Sequence, residues 1–366
     1  MNDKAVPQGL DVVMQEHSDS IDTFGQDLIE QGIRGLIEMG HLCLGVSQHA
    51  RGPPTDLIEA DNQDLPIEVG HRHLQGRCRG LDEQYGGTKA NRQNQRMPEG
   101  DTVWLAARRL DEALGGASLT SSDFRVPQLA TTDLSGRRIE SVRAYGKHLL
   151  FRIEGDLTLH THFRMDGTWH LYRVGRPWRG GPDWQIRLVL STPEWNAVGY
   201  RLPVVELLPT SEESRIIGRL GPDVLSPDVD LREASARVAS VPDRAIGDAL
   251  LDQTIVAGFG LIYVTEGLYL HGITPWTRVG DVPDLDRLID RTARLMSANR
   301  ERGAQASTGD LREQHYVYAR AGRPCLRCRT RIRHGRQRSG THERDAYWCP
   351  HCQVGPDGSA KPPLTG

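Results

Sequence analysis

The sequence predicts an α+β multidomain chain: an amino-terminal helix with an antiparallel β-sandwich, then a helical domain, then a small β ribbon. Three observations support this fold class: an apolar helical repeat just after Asp101, β-hairpin patterns over residues 146–173, and two Cys-x-x-Cys pairs near the end. The chain has 366 residues, which is enough for two or three domains of ordinary size.

Residues 1–96 are predicted to be an extension and not a folded domain. They hold 15 acidic and 9 basic residues, whereas residues 97–366 hold 33 and 36, so only the second part carries net positive charge. Glycines interrupt the weakly amphipathic stretch 28–37, and Gly-, Pro-, Asn- and Gln-rich sequence follows. We expect this segment to be disordered or to reflect a start site assigned too far upstream.

The first downstream domain, residues 97–219, begins with a helix. Val103, Ala107, Leu110 and Leu114 share one helical face, and a Gly-Gly pair directly after Leu114 provides a stop. The helix is therefore predicted to pack this face against the sheets that follow.

The remainder of that domain reads as successive β-hairpins that form a two-layer sandwich. Turn residues at 154–156 and at Asp166-Gly167 separate apolar runs of strand length. The predicted strands are 149–151, Leu157–His162, Thr168–Arg173, 185–190 and 204–208.

Helical patterns replace the strand patterns after residue 219, so residues 220–318 are predicted to form a helical domain. The predicted helices are Leu231–Ala239, 245–251, 262–271 and Leu285–Asn299. Between two of them lies Gly258-Phe259-Gly260, whose glycines allow a close backbone approach and leave free N–H groups at the start of the next helix. Gly258 and Gly260 are thus candidates for holding a DNA phosphate, although a plain tight turn explains the pattern equally well.

The strongest motif lies in residues 319–354, where Cys325 and Cys328 are followed, after twenty residues, by Cys349 and Cys352. This spacing is typical of a structural zinc site with four thiolate ligands, so we expect one structural Zn²⁺. Nine arginines and one acidic residue between 320 and 344 favour a phosphate-contacting surface, with a solvated face as the alternative. Residues 355–366 are predicted to be a disordered tail.

Bulk features exclude a membrane or secreted protein. No secretory pattern opens the chain, no apolar run reaches 18 residues, and the cysteines are not spaced as a disulfide framework. The sequence therefore predicts a cytoplasmic protein, associated with the nucleoid if it binds DNA.

Two single residues have both a functional and an ordinary interpretation. Met165 precedes a turn, where an apolar side chain has little to bury against, so it is either a wedge into a base stack or an exposed Met of no consequence. Its neighbours His162 and Arg164 favour DNA. Lys147, at the start of a strand, is usually a solvated surface residue.

Met97-Pro98-Glu99-Gly100 suggests an active-site terminus. A proline with a free amino group offers a secondary amine, which can attack an electrophilic sugar carbon and form an iminium. A helix follows, and its positive end lowers the pKa of a nearby amine, while Glu99 can serve as a general acid or base. Taken alone the motif is weak, because an internal proline has no amine.

Together these motifs resemble the Fpg/Nei family of bacterial DNA glycosylases, over residues 97–353. Chains of that family start with Met-Pro-Glu, enter a strand through Gly-Lys, contain a helix–two-turn–helix element and end in a four-cysteine zinc finger. The opening and the Tyr347-Trp348-Cys349-Pro350 ending look more like the Nei, or endonuclease VIII, branch of actinobacterial type.

The resemblance implies roles for particular residues. Pro98 matches the Schiff-base nucleophile, Glu99 the proton donor and Lys147 an essential lysine near the damaged nucleoside. His162 and Arg344 match phosphate ligands, and Met165 matches the residue that fills the gap left by a flipped base.

Two positions depart from the family pattern. Leu261 stands where the family usually has a phosphate-binding Asn, and Thr102 stands where a second glutamate is often seen. Loss of the Asn contact is expected to cost about 1–3 kcal/mol of DNA affinity.

We therefore expect a monomeric bifunctional DNA glycosylase and AP lyase. It would bind double-stranded DNA with oxidised bases or abasic sites, favour oxidised pyrimidines, and cut the strand by β,δ-elimination. Its translation would start at Met97. An acidic regulatory extension is the alternative to that start. The alternative functions are a non-catalytic zinc-finger nucleic-acid-binding protein and an Fpg-like glycosylase for oxidised purines.

Overall fold

The computed structural model describes residues 98–339 and 342–355. The predictions for residues 1–97 and 356–366 lie outside the described residues. Within the described ranges, no helix is long and apolar enough to cross a membrane.

The amino-terminal helix, α1, spans Gly100–Leu114 and buries the predicted apolar face. The chain leaves it at Gly115, whose N–H donates to the carbonyl oxygen of Asp111 at 2.8 Å. The Asp111 carboxylate also accepts a hydrogen bond from the amide of Val142 at 2.6 Å, which ties the helix to the sheet beside it.

Eight strands form the predicted β-sandwich, in two antiparallel sheets ordered β2-β3-β4-β8 and β1-β6-β7-β5. Their inner faces meet in one core, to which Phe151 and Leu159 of the first sheet and Trp169 and Leu190 of the second contribute. The strands are β1 (Ser121–Phe124), β2 (Ile139–Tyr145), β3 (His148–Ile153), β4 (Leu157–His162), β5 (Thr168–Arg173), β6 (Ile186–Ser191), β7 (Trp195–Tyr200) and β8 (Val204–Pro209).

The predicted hairpin at Asp166-Gly167 is wrong. β4 pairs with β3 and β8, while β5 pairs with β7 in the other sheet, so residues 163–167 cross from one layer to the other. Phe163 is buried in the core under this crossover, and the N–H of Gly167 donates to its carbonyl oxygen at 2.9 Å. Met165 therefore lies at the tip of a tight crossover turn and is 49% exposed.

The helical domain agrees closely with its prediction, because two helices match in full and two differ by a residue at their ends. Asp230 and Asp284 cap the two matching helices through their side chains. A short helix, α2 (Ser214–Ile217), precedes this domain. The helices of the domain are α3 (Leu231–Ala239), α4 (Ile246–Leu251), α5 (Leu261–Leu270) and α6 (Leu285–Asn299).

Helix α5 is the centre of this domain. Its first nine residues, 261–269, are all buried, and its composition is apolar on every side except for a few polar groups. Each of those polar groups must therefore find a partner in the surrounding protein.

The carboxyl-terminal ribbon consists of β9 (Arg333–Ser339) and β10 (His342–Trp348), which pair antiparallel. It packs on the helical domain through an edge-to-face contact between Trp348 and Trp276, with ring centres 4.7 Å apart. Gln353 joins the two parts as well, because its side chain accepts from the Cys349 amide and donates to the carbonyl oxygen of Ile273.

A buried carboxylate on α5 holds the segment that leads into the ribbon. Glu266 is fully buried and accepts hydrogen bonds from the amides of Tyr316, Val317 and Tyr318 at 2.8–2.9 Å, and from the hydroxyl of Ser307. One side chain thus satisfies three consecutive backbone N–H groups inside the protein.

We expect Glu266→Gln to lower the free energy of unfolding by about 2–3 kcal/mol, since the new amide NH₂ cannot accept and leaves a buried N–H without a partner. Equilibrium urea unfolding followed by tryptophan fluorescence measures the change. Glu301→Gln is the matched control: Glu301 is exposed in a surface ion pair with Arg108, so its loss should cost at most about 0.5 kcal/mol. Equal effects of the two substitutions would contradict this role of Glu266.

Candidate active site

A cavity of about 340 Å³ brings together eight of the nine residues that the sequence assigns to catalysis or DNA binding. Gly258 is the exception, because it does not line the cavity. The eight are Pro98, Glu99, Lys147, His162, Arg164, Met165, Gly260 and Arg344, and Leu251, Gln253 and Leu261 complete the wall. They come from the start of α1, the β-sandwich, the turn before α5 and the ribbon, so the cavity lies where all three parts of the fold meet.

Glu99 is held by the amino-terminal end of α5. Its carboxylate is 1% exposed and accepts hydrogen bonds from the amides of Ile262 at 2.7 Å and Tyr263 at 3.4 Å. Both amides belong to the first turn of the helix, where N–H groups have no partner within the helix and the helix dipole favours a negative charge.

The glycines before α5 allow this contact. A Cβ atom on Gly260 would lie 2.3 Å from the Glu99 carboxyl carbon, so only glycine fits at that position. Gly258 accepts a hydrogen bond from the Gly100 amide at 3.0 Å and has a φ of +102°. The two glycines thus bring the turn against Glu99 and Gly100.

Three N–H groups near this turn have partners within the protein. The Gly258 amide donates to Gln253 Oε1 at 3.1 Å, and Gln253 Nε2 donates to the Phe259 carbonyl oxygen at 2.9 Å. The first amides of α5 donate to Glu99. The segment is thus a tight turn that positions the Glu99 carboxylate, and the assignment of Gly258 and Gly260 to a DNA phosphate stays a prediction.

Burial raises the pKa of Glu99 to about 7. The nearby Lys147 ammonium and the two α5 amides oppose this shift, and the neighbouring Asp101 carboxylate adds to it. A carboxyl with this pKa is protonated in a substantial fraction of molecules near neutral pH, as a general acid requires.

Lys147 lies in the cavity wall and is only partly exposed, where the sequence alone favoured a solvated surface position. It follows Gly146, whose N–H donates to Asp223 at 2.9 Å and whose φ is +56°, and these features fix the turn between β2 and β3. Removal from water lowers the pKa of Lys147, whereas the Glu99 carboxylate opposes this shift and Arg344 adds to it.

His162, at the end of β4, is a neutral hydrogen-bond donor to the cavity. Burial lowers the pKa of His162 to about 4, with further lowering from His160, Lys147 and Arg164. Its Nδ1 accepts from the Arg164 amide at 2.9 Å, so the ring proton is on Nε2. This is the tautomer that can donate to a phosphate oxygen.

Three further residues, joined to one another by hydrogen bonds, were not identified from the sequence: Asp101, Tyr263 and Gln305. Asp101 is 4% exposed and accepts hydrogen bonds from the hydroxyl of Tyr263 at 2.6 Å and from Gln305 Nε2 at 2.9 Å. Burial raises the pKa of Asp101, and these donors oppose the shift. The sequence shows an acidic residue two positions after Glu99, but it does not indicate that this residue is buried. No sequence pattern indicated Gln305.

The two departures from the family pattern lie at this site. Leu261 lines the cavity and is 5% exposed, so its apolar side chain contributes to the wall. The Thr102 hydroxyl donates to Asp101 at 3.3 Å. Neither position supplies the polar group that the resemblance leads one to expect.

Four thiols form the cluster that the Cys-x-x-Cys spacing predicts. The sulfur atoms of Cys325, Cys328, Cys349 and Cys352 lie within 4.8 Å of one another, a grouping that can hold a metal ion. The Cys325–Cys352 and Cys328–Cys349 sulfur atoms are 3.9 and 3.4 Å apart. Four thiolates at about 2.3 Å from a tetrahedral Zn²⁺ would be about 3.8 Å apart, so the set fits that ion.

Comparison with known proteins identifies two family domains. The formamidopyrimidine-DNA glycosylase N-terminal domain matches residues 97–201, and the H2TH domain of the same enzymes matches residues 220–308. The first match thus begins at the Met-Pro-Glu motif and covers the β-sandwich through β7.

Whole-chain comparisons agree. The chain is 52% identical to a probable endonuclease 8 2 of Streptomyces coelicolor, over 71% of this chain and 95% of that one. It is 42% identical to the DNA-(apurinic or apyrimidinic site) lyase Nei2 of Mycolicibacterium smegmatis, over 70% and 99%.

A solved structure shows the same fold. The formamidopyrimidine-DNA glycosylase of Lactococcus lactis, bound non-covalently to DNA containing an AP site, superposes with a TM-score of 0.59 at 25% identity, covering 70% of this chain and 99% of that one. The chain is a member of the Fpg/Nei family of DNA glycosylases.

Proposed function

We propose that this protein is a base-excision-repair enzyme, a bifunctional DNA glycosylase and AP lyase that acts on oxidised bases in duplex DNA. The observation that carries the proposal is the clamping of Glu99 by α5, which places Pro98, Glu99 and Lys147 on the wall of one cavity. The names of its relatives, endonuclease 8 and AP lyase, support the same activity. Oxidised pyrimidines are the favoured substrates, because the relatives belong to the endonuclease 8 branch.

DNA binding is assigned to the cationic and donor groups around the cavity. Arg344 and Arg164 supply positive charge for the phosphates, and His162 donates from Nε2. Met165, exposed on its crossover turn, fills the gap in the base stack after the damaged nucleotide turns into the cavity.

The chemistry begins with the Pro98 amine. Its lone pair forms a bond to the sugar carbon C1′ while the C1′–base bond breaks, and the electron pair of that bond leaves with the base. The nitrogen then gives up its proton to the departed base, the C1′–O4′ bond breaks as the C1′=N bond of the iminium forms, and the ring oxygen O4′ takes a proton from Glu99. Since the pKa of Glu99 is raised to about 7, this proton is present at neutral pH.

Strand cleavage follows from the iminium. The positive nitrogen acidifies the C2′ hydrogen, so loss of that proton expels the 3′ phosphate, and a second proton loss expels the 5′ phosphate. Lys147, beside Glu99, is placed to contact the nucleoside or its phosphate as these charges develop.

This route requires an amine on Pro98 that is not part of a peptide bond. We therefore propose that the active form begins at Pro98, after translation from Met97 and removal of that Met. The first family match begins at the same residue, 97.

The test compares chains translated from Met97 and from Met1. Each is incubated with duplex DNA holding an abasic site or an oxidised pyrimidine and is then reduced with borohydride. We expect a covalent protein–DNA adduct from the short form and much less of it in Pro98→Ala, because the primary amine of alanine can still form a Schiff base but lacks the ring that orients the nitrogen.

Pro127→Ala, at an exposed proline on the sandwich, is the control and should trap normally. DNA binding without an adduct from either start would favour the non-catalytic zinc-finger interpretation. Faster excision of oxidised purines than of pyrimidines would favour an Fpg-like specificity.

The pH dependence of base excision should report Glu99. Its pKa is raised to about 7, so the acid form dominates below that pH and is lost above it. Excision from an oxidised-base duplex should fall about tenfold per pH unit above pH 7. Single-turnover rates from pH 6 to 9 measure this fall in rate, the basic limb of the pH profile. Glu99→Gln should be slow at every pH and should lack the basic limb. Glu112→Gln, at an exposed glutamate of α1, should keep it. A limb that survives in Glu99→Gln would refute the assignment.

We also propose that the four-thiol cluster binds one Zn²⁺. With four protein thiolates the coordination sphere is closed, so the ion supplies structure and does not activate water. It orders the ribbon that carries Arg344 to the cavity.

Elemental analysis of the purified full chain should therefore find about one zinc per molecule, and Cys325→Ser should lose it. Loss of the ion should also reduce DNA affinity at least tenfold, measured by fluorescence anisotropy. Ser121→Ala, at an exposed serine of the sandwich outside the thiol cluster, should keep both zinc and affinity. Full zinc occupancy in Cys325→Ser would argue against this ligand set.

A further inference from the structure

A second, much smaller cavity also has Pro98 in its wall. Its volume is about 20 Å³, close to the space that one water molecule needs. The residues around it are Pro98, Asp101, Thr102, Leu105, Asn299, Arg300, Gly303 and Gln305. Pro98 therefore lines both this cavity and the large one.

The polar wall of the small cavity is organised by Asp101. One oxygen of its carboxylate accepts from Gln305 Nε2 at 2.9 Å and from the Thr102 hydroxyl at 3.3 Å, and the other accepts from the Tyr263 hydroxyl at 2.6 Å. A carboxylate that only accepts hydrogen bonds requires the NH₂ side of the Gln305 amide to face it. Asp101 thereby fixes the orientation of that amide.

The other end of the amide is left without a partner. Gln305 is 6% exposed, and its buried Oε1 accepts no hydrogen bond from the residues that the structure describes. A buried carbonyl oxygen normally has a protein or water partner. The small cavity, which Gln305 lines, has room for the water that would satisfy it.

We propose that Asp101, Gln305 and one water molecule in the small cavity form a holding site for the free amine of Pro98. The water donates one hydrogen to Gln305 Oε1 and accepts the N–H of the Pro98 amine. The N–H of the amine is then turned to the small cavity, which leaves its lone pair for the sugar carbon in the large one. This inference rests on the proposed function, and it makes Asp101 and Gln305 positioning residues for the nucleophile.

The charges around the amine give this site a measurable signature. Glu99, Asp101 and Lys147 interact electrostatically with one another, and Arg300 lines the small cavity. The Asp101 charge and the acceptor on the water both favour the protonated amine. Their removal should lower the pKa of the amine while the amine also loses its orientation.

The test measures the single-turnover rate of borohydride-trapped adduct from pH 5 to 9, on abasic-site duplex, with the form that traps DNA. Asp101→Asn and Gln305→Met should each lower the maximal rate at least tenfold. In Asp101→Asn the acid-side midpoint of the profile should also move down by half a pH unit or more. Gln128→Met, at an exposed glutamine of the sandwich, should change neither quantity.

Affinity for duplex containing the unreactive tetrahydrofuran abasic analogue separates positioning from folding. Both variants should bind it within twofold of the wild type. An unchanged acid-side midpoint in Asp101→Asn, or loss of binding in proportion to rate, would overturn the holding site alone. If the wild type forms no adduct, the proposed function fails and the holding site with it.

Discussion

The contact between the Glu99 carboxylate and the first amides of α5 is the interaction on which the cavity depends. It joins residues more than 160 positions apart in the chain and places a buried acid at the positive end of a helix. Burial disfavours the ionised carboxylate, whereas the two amides favour it. The net result is that the pKa of Glu99 is raised to about 7. Because Pro98 directly precedes Glu99, the same contact holds the proposed nucleophile in the wall of the cavity that Lys147 also lines.

The part of α5 beyond its first turn holds the ribbon and the segment that leads into it. Glu266, one turn into the helix, holds the amides of residues 316–318, and the Tyr269 hydroxyl lies 3.3 Å from the sulfur of Cys325. Helix α5, whose first nine residues are buried, therefore links the Glu99 carboxylate at one end to the thiol cluster at the other.

Features that depend on local sequence were predictable, whereas features that depend on distant partners were not. Helices α3 and α6 match their predictions because each has an aspartate cap and a regular apolar face. The thiol cluster follows from cysteine spacing alone. The turn at Asp166-Gly167 was assigned to a hairpin, because turn residues specify a reversal of the chain but not which sheet receives the next strand.

The residues around the cavity show the same difference between features set by local sequence and features set by distant partners. Pro98, Glu99 and Lys147 were singled out by motif and resemblance. Strands β1, β2 and β7 were not predicted, and neither was Gln305, which lies in an irregular loop and meets Asp101 only in the folded protein. The glycines before α5 were recognised as permitting a close approach, but the group that approaches, Glu99, could be identified only from the tertiary structure.

The central claim is that the amine of Pro98 is the nucleophile. The most direct measurement is peptide mass spectrometry of the borohydride-trapped complex after digestion with nuclease and trypsin. The account predicts that the deoxyribose remnant is attached to the peptide of residues 98–108, at an amino-terminal Pro98. A remnant attached to a lysine such as Lys147, or to a chain in which Pro98 is still joined to Met97, would contradict it.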